Sequence, residues 1–265
     1  MRRGTQKRDD GDLAAELALA IERGEFRLEY QPIVRLGSGA LAGAEALVRW
    51  RHPRRGTIPP AEFLPLAESA GLISGIGNFV LEEACRTAVS WPKPADRPAF
   101  VSVNVVPQQL ADGNWSDYVL GVLTDAGLAA SELVLEMTGG AGESAGAIES
   151  SLVGLREAGV RFALDDFGHA TTLHDVKLLP VDLVKLDREF VAGVDGPPTE
   201  AAFALSLLGL ADARGIEVVA KGIESREQAW RLAELGCRYG QGYFFSKPLG
   251  ASGILAVLRQ GVLRG

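Results

Sequence analysis

Short β-type runs and helically spaced stretches follow one another through most of this chain, and that alternation constrains the fold more than any other feature. Strand patterns are read at residues 100–106, 132–136, 160–164, 181–187, 216–221 and 239–245. Helical spacing falls between or after them, at 115–126, 145–158, 199–214, 226–235 and 253–263, with two earlier helical stretches at 60–71 and 76–91. The start of the chain breaks this rhythm. A helix over 13–23 (Leu13, Leu17, Ile21) stops at Gly24, and strands at 26–34 and 41–49 follow, joined only by the turn at 36–40. So short a link has no room for a crossover helix, and the two strands must be antiparallel neighbours. Eight strands, seven of them in βα alternation, predict an α/β fold of the TIM (β/α)8 type, modified by an antiparallel first strand. A doubly wound open sheet is the competing architecture, although no Gly-rich dinucleotide fingerprint supports it.

The chain has 265 residues, 47% of them hydrophobic, enough to bury one large core. Residues 1–11 read as a disordered leader or linker, and 12–265 as one domain. A net charge of −7 with no basic stripe argues against nucleic acid as a partner. Two distant cysteines, Cys85 and Cys237, suggest a reducing compartment. The charged N-terminus has no apolar run behind it, so no signal peptide is read there. The longest apolar stretch, 201–213, is too short to span a bilayer and reads as a buried core helix. The expected location is cytoplasmic.

Chemistry in such barrels sits at the C-terminal strand ends. Read in order, those ends carry Glu45 and Arg49, Asn104, Glu136, Asp165 and Asp166, Lys185 and Asp187, Lys221, and Gln241. The adjacent Asp165 and Asp166, ahead of Gly168, are costly to hold together unless a cation compensates them, the alternative being a helix-capping pair. Four carboxylates and an Asn carbonyl form an all-oxygen set suited to Mg²⁺ or Mn²⁺. An oxygen-lined site able to hold two cations suits in-line attack on a phosphodiester. The histidines (His52, His169, His174) fall in loops without metal spacing and read as solvated.

The segment Glu45-Ala46-Leu47-Val48-Arg49 resembles the signature of the EAL family of cyclic di-GMP phosphodiesterases. The resemblance continues through Tyr30-Gln31-Pro32-Ile33, Ser102-Val103-Asn104, Leu133 to Glu136, Asp165-Asp166-Phe167-Gly168, Leu179 to Asp182, Val184-Lys185-Leu186-Asp187 and Gln241-Gly242-Tyr243, over roughly residues 13 to 250. It implies the modified barrel already read from the strands. Glu45, Asn104, Glu136, Asp165 and Asp166 match metal ligands of the family. Lys185 matches the cation near the attacking water and scissile phosphate. Gln31, Leu47, Arg49 and Gln241 match positions facing the dinucleotide or supporting it, with Asp187 and Glu224 expected beside them. Cyclic di-GMP is the implied ligand, and a homodimer or an upstream sensory or GGDEF-like domain the implied protein partner.

Three departures from the family pattern bear on activity. Lys221 stands where the family has a metal-binding Glu, a change of two charge units beside a cation site. At about 4 Å and an effective dielectric near 20, one unit of repulsion is worth about 4 kcal/mol, and a divalent ion feels about twice that. The alternative is a Lys221 turned to solvent, with only a ligand lost. Gly139 replaces a Glu that anchors the loop after the paired aspartates, and that loop, 168–175, is degenerate. The expectation is a degenerate EAL domain with Mg or Mn at a weakened site, binding cyclic di-GMP or a protein partner without efficient hydrolysis. The alternatives are a low-activity phosphodiesterase giving linear pGpG, and an interaction module that no longer sees nucleotide.

Overall fold

The computed structural model describes residues 13–93, 98–138, 152–167, 179–194 and 196–263. The proposed leader, Gly139 and the loop at 168–175 lie outside them. Among the described residues nine strands form one sheet: β1 (Phe26–Arg35), β2 (Leu41–His52), β3 (Gly56–Ile58), β4 (Phe100–Val105), β5 (Leu133–Thr138), β6 (Arg161–Phe167), β7 (Leu183–Leu186), β8 (Glu217–Ala220) and β9 (Tyr239–Gly240). The strand order is β1-β9-β8-β7-β6-β5-β4-β2-β3, and β1 also pairs with β2. That last pairing closes eight strands into a barrel and disposes of the open-sheet alternative. β1 runs antiparallel to both β2 and β9, whereas β2 and β4 to β9 are parallel. β3 is an outlying hairpin strand on β2, and its three residues were too few to show a period.

The lower half of the barrel is plugged by Ile33, Phe100, Val134, Ala163, Leu183, Val219 and Tyr239, one inward residue from nearly every strand. These apolar residues leave only the upper half for polar groups, and so fix the level of the site. Outside the barrel the helices bury a larger core in which Phe26 contacts the rings of Trp50 and Phe63.

Helices at Pro60–Ser69, Ile73–Ala88, Trp115–Ala126, Pro198–Ala213, Arg226–Glu234 and Ala251–Gln260 fall where the spacing predicted them. The first helix covers 13–20 and turns at 21–24, and of the helix expected at 145–158 residues 152–157 are described and helical. The apolar stretch at 201–213 needs correcting: its helix buries Ala204, Leu207 and Leu208 but leaves Leu205 52% exposed. No described helix is long and apolar enough to cross a membrane.

One glycine pins the strand-end loops. A Cβ on Gly242 would lie 2.0 Å from the Ile223 carbonyl oxygen and 2.3 Å from its nitrogen. Both are backbone atoms, held by the hydrogen bond from Ile223 N to Gln241 O at 3.1 Å. Gly242→Ala is therefore expected to destabilise the protein by about 1–3 kcal/mol. Thermal denaturation checks this, and an unchanged Tm would show that the two loops slide apart freely.

Candidate functional site

Register brings the strand-end residues to one level. Glu45 pairs with Ser102, Asn104 with Glu136, and Thr138 with Asp165, so Glu45, Asn104, Glu136 and Asp165 share the inward face. Lys185 on β7 is 1% exposed. Its ammonium donates to Glu45 Oε2 at 2.6 Å and to both Glu136 oxygens at 2.8 Å. Gln241 Nε2 donates to the same Glu45 Oε2 at 2.8 Å, and Asn104 Nδ2 to Glu45 Oε1 at 3.0 Å. Asn104 thus shows Glu45 its N–H side, and half a turn of the amide would present the carbonyl oxygen expected as a ligand.

Two buried carboxylates share one ammonium here, and their proton affinities are driven apart. Burial favours the neutral acid of Glu45, but the Lys185 ammonium outweighs it and holds the carboxyl down at about 2. Burial, reinforced by the charge on Glu45, pushes Glu136 up to about 7. Burial also opposes the charge on Lys185, yet Glu136 and Glu45 together raise its pKa above the ordinary lysine value.

The paired aspartates form the second half of the site. Successive strand residues point to opposite faces, so Asp165 and Asp166 would ordinarily diverge. The β6–β7 register breaks between Leu164 and Phe167, and Asp166 adopts φ +49°, a left-handed conformation that costs a non-glycine residue about 1–3 kcal/mol. The result brings both carboxylates to one cation: Lys221 Nζ lies 2.7 Å from Asp165 Oδ1 and 2.7 Å from Asp166 Oδ1. Lys221 therefore points into the site, and the solvent-turned alternative is set aside. Partial burial disfavours its charge, but Asp165 more than compensates and raises its pKa.

A cavity of about 410 Å³ opens beside this cluster, lined by Gln31, Glu45, Leu47, Asp187, Lys221, Glu224 and Gln241 among the expected residues. Arg49 is not in its lining; its Nε donates to Glu29 Oε2 at 2.8 Å. Asp187 doubles as a helix cap, its Oδ1 accepting from Glu189 N at 2.9 Å. Four lining residues were missed from sequence: Arg188, Gly222, Gly242 and Tyr243. Tyr243 is 62% exposed, with Lys247 Nζ 5.9 Å from its ring centroid. The motif Gln241-Gly242-Tyr243 was the signal available for two of the four.

His52 requires a correction. It ends β2 and is buried, with Nε2 2.5 Å from Glu16 Oε2 and Nδ1 accepting from the backbone N–H groups of Arg54 and Arg55. It tethers the first helix to the barrel and is not a solvated loop residue. His169 and His174 lie outside the described residues. Among the described residues no group of three His, Cys, Asp or Glu stands ready around a metal position. Each of the carboxylates of Glu45, Glu136, Asp165 and Asp166 instead lies within 2.6–2.8 Å of the ammonium of Lys185 or Lys221.

Comparison with known proteins agrees with this architecture. The family model for the EAL domain matches residues 14–248. The chain belongs to the EAL domain family. This EAL domain is 41% identical over 247 residues to the protein Rv1357c of Mycobacterium tuberculosis, covering 89% of this chain and 80% of that one. It is 37% identical over 246 residues to the bifunctional diguanylate cyclase/cyclic di-GMP phosphodiesterase MucR of Pseudomonas aeruginosa, covering 92% of this chain but 36% of MucR. The solved PaMucR phosphodiesterase in complex with c-di-GMP superposes with TM-score 0.84 at 36% identity, over 92% of this chain and all of that one. The EAL enzyme Bd1971, solved with cAMP and cyclic di-GMP bound, gives TM-score 0.89 at 30% identity over 96% of this chain and 70% of its own.

Proposed function

We propose that this EAL domain is a receptor for cyclic di-GMP with an impaired hydrolytic site. The observation that carries the reading is the Lys221 ammonium fixed at 2.7 Å from both Asp165 and Asp166. Hydrolysis of a phosphodiester needs a group that takes the proton of the attacking water. Lys221 and Lys185 both have raised pKa values, so both stay protonated and neither is that group. An ammonium at the cavity wall does suit a ligand carrying phosphate charge. The cavity beside it, and c-di-GMP complexes of MucR and Bd1971, support the choice of ligand.

A second reading, a slow hydrolase, is favoured by the convergence of Glu45, Asn104, Glu136 and Asp165. Their oxygens are hard donors, and two buried carboxylates against one Lys185 ammonium leave negative charge to neutralise, so the donor set fits Mg²⁺ or Mn²⁺. A divalent cation held there would polarise a phosphoryl oxygen. Lys185 would keep Glu45 ionised and would orient both Glu45 and Glu136.

Incubating the purified protein with cyclic di-GMP, with and without Mg²⁺ or Mn²⁺, separates the readings when bound ligand and linear pGpG are measured in the same samples. Binding without product is the expected result. Steady turnover that is abolished by Glu45→Ala would replace it with the hydrolase reading, and absence of binding would leave an interaction module. MucR is a longer protein whose name gives it a diguanylate cyclase activity as well, which supports a further proposal, that this domain works beside an upstream sensory or GGDEF-like domain.

A further inference from the structure

The end of the barrel away from the strand-end cluster holds a second cavity, of about 490 Å³, within the size range of small-molecule pockets. It forms where β1 ends at Arg35, β2 begins at Leu41 and Ala99 leads into β4. Pro92, Lys93 and Leu258 of the closing helix complete its walls. These walls are stitched together: Leu41 N donates to Gly261 O at 3.2 Å, and Leu263 N to Gly39 O at 2.9 Å. Most of the lining is apolar, and both charges among the described lining residues are positive, in a chain whose net charge is −7. The two cations are not alike. Lys93 is matched, its ammonium donating at 2.8 Å to Oε2 of the buried Glu132. Arg35 is partly buried, its backbone fixed by pairing with Tyr239 and by a 2.8 Å hydrogen bond from its N–H to Ala40 O. Among the described residues its guanidinium makes no hydrogen bond or ion pair. A guanidinium held partly out of water lacks there the two-oxygen acceptor that its planar fork fits.

We propose that this lower cavity is a binding site for a small organic carboxylate with an apolar body. Arg35 takes the carboxylate, Lys93 adds to the field that draws it in, and Leu41, Ala99 and Leu258 cover the apolar part. One guanidinium without a partner calls for one negative charge, and the apolar walls favour a hydrocarbon body over a fully hydrated anion. The site is separate from the nucleotide cavity. Along β1, Gln31 lines the upper cavity, Ile33 belongs to the apolar plug and Arg35 lines the lower cavity, so the plug stands between the two. The inference therefore does not rest on the receptor reading.

The test uses octanoate on the full chain, read by calorimetry and by displacement of the fluorescent anion 8-anilinonaphthalene-1-sulfonate. Saturable octanoate binding is expected, and 1-octanol, the same chain without the charge, should bind at least about tenfold more weakly. Arg35→Gln should weaken octanoate at least about tenfold, and Arg35→Lys by less, since it keeps the charge and loses the fork. Arg86→Gln removes a cation from the groove between the helices Ile73–Ala88 and Trp115–Ala126 and should leave the affinity unchanged. No octanoate binding, equal binding of octanoate and octanol, or an Arg35→Gln variant that binds like the wild type would overturn the proposal, as would loss of binding in Arg86→Gln. The comparison of octanoate with octanol is made on the wild type and needs no variant to fold. Saturating cyclic di-GMP should leave octanoate bound. Displacement would place the probe in the upper cavity and refute this inference alone, whereas octanoate binding in a chain that takes up no nucleotide refutes the receptor alone.

Discussion

Lys185→Met is expected to cost the protein about 3–5 kcal/mol of stability, measured on the metal-free chain by urea denaturation as a lower midpoint with unchanged slope. The side chain has nearly the same length and keeps the apolar contacts, so the loss is electrostatic. Lys185 makes three hydrogen bonds, at 2.6, 2.8 and 2.8 Å, to two carboxylates that burial has stripped of water. Without it Glu45 and Glu136 repel one another with no ammonium in contact, Lys221 acting on Glu45 only from a distance, and Gln241 and Asn104 can donate only neutral N–H groups to Glu45. Taking up protons limits the cost but does not cancel it, because each carboxyl still lacks the donors that matched its ionised form. A second change, Glu136→Gln, should return part of the loss by removing one of the two stranded charges. A cost below about 1 kcal/mol for Lys185→Met would mean that water reaches the cluster from the cavity side.

What made this cluster legible in the sequence was period. β-type alternation followed by a helix, repeated along the chain, assigns Glu45, Asn104, Glu136, Asp165, Lys185, Lys221 and Gln241 to strand ends, and strand ends of a closed barrel converge whatever the loops do. The closure itself was legible because a five-residue link allows no crossover. What was not legible depends on contacts between segments distant in sequence. Arg188 reaches the cavity wall because it follows the capping residue Asp187 on a short helix, Arg188–Ala192, whose direction no local pattern sets. His52 was misread as a loop residue because its partner, Glu16, lies 36 positions earlier. Arg49 was read as facing the dinucleotide or supporting it, whereas it lies outside the cavity lining, and its link to Glu29 depends on the β1–β2 register. The direction of Lys221 turned on a further local matter: a left-handed Asp166, which sequence gives no reason to expect at a residue with a side chain.

Glu45→Gln should separate stability from function in the opposite sense to Lys185→Met. In the wild type the Glu136 carboxyl sits at about 7, raised by burial and by the charge on Glu45. A carboxyl raised in the fold favours the folded state while it is protonated. That contribution is fully present below the ordinary carboxylate value and is lost as pH rises through about 7. The metal-free wild type should therefore lose stability between about pH 5 and pH 8. The depressed Glu45 acts in the other direction only at lower pH, as the medium approaches its value of about 2, so it does not mask the slope. Replacing Glu45 by Gln leaves Glu136 and Lys185 as a balanced pair, and the Gln carbonyl can still accept from Gln241. The fall between pH 5 and pH 8 should flatten, with the variant more stable than wild type by about 1 kcal/mol at pH 8 in chelator. Mn²⁺ binding should weaken at least about tenfold in the same variant, since the most connected carboxylate of the donor set is gone. Thermal melts across that pH range, in chelator and then in Mn²⁺, read both effects on one sample. A wild-type curve that is flat in chelator would mean that Glu136 stays ionised beside Lys185, and the excess negative charge would then have to be balanced from the Asp165 and Lys221 side.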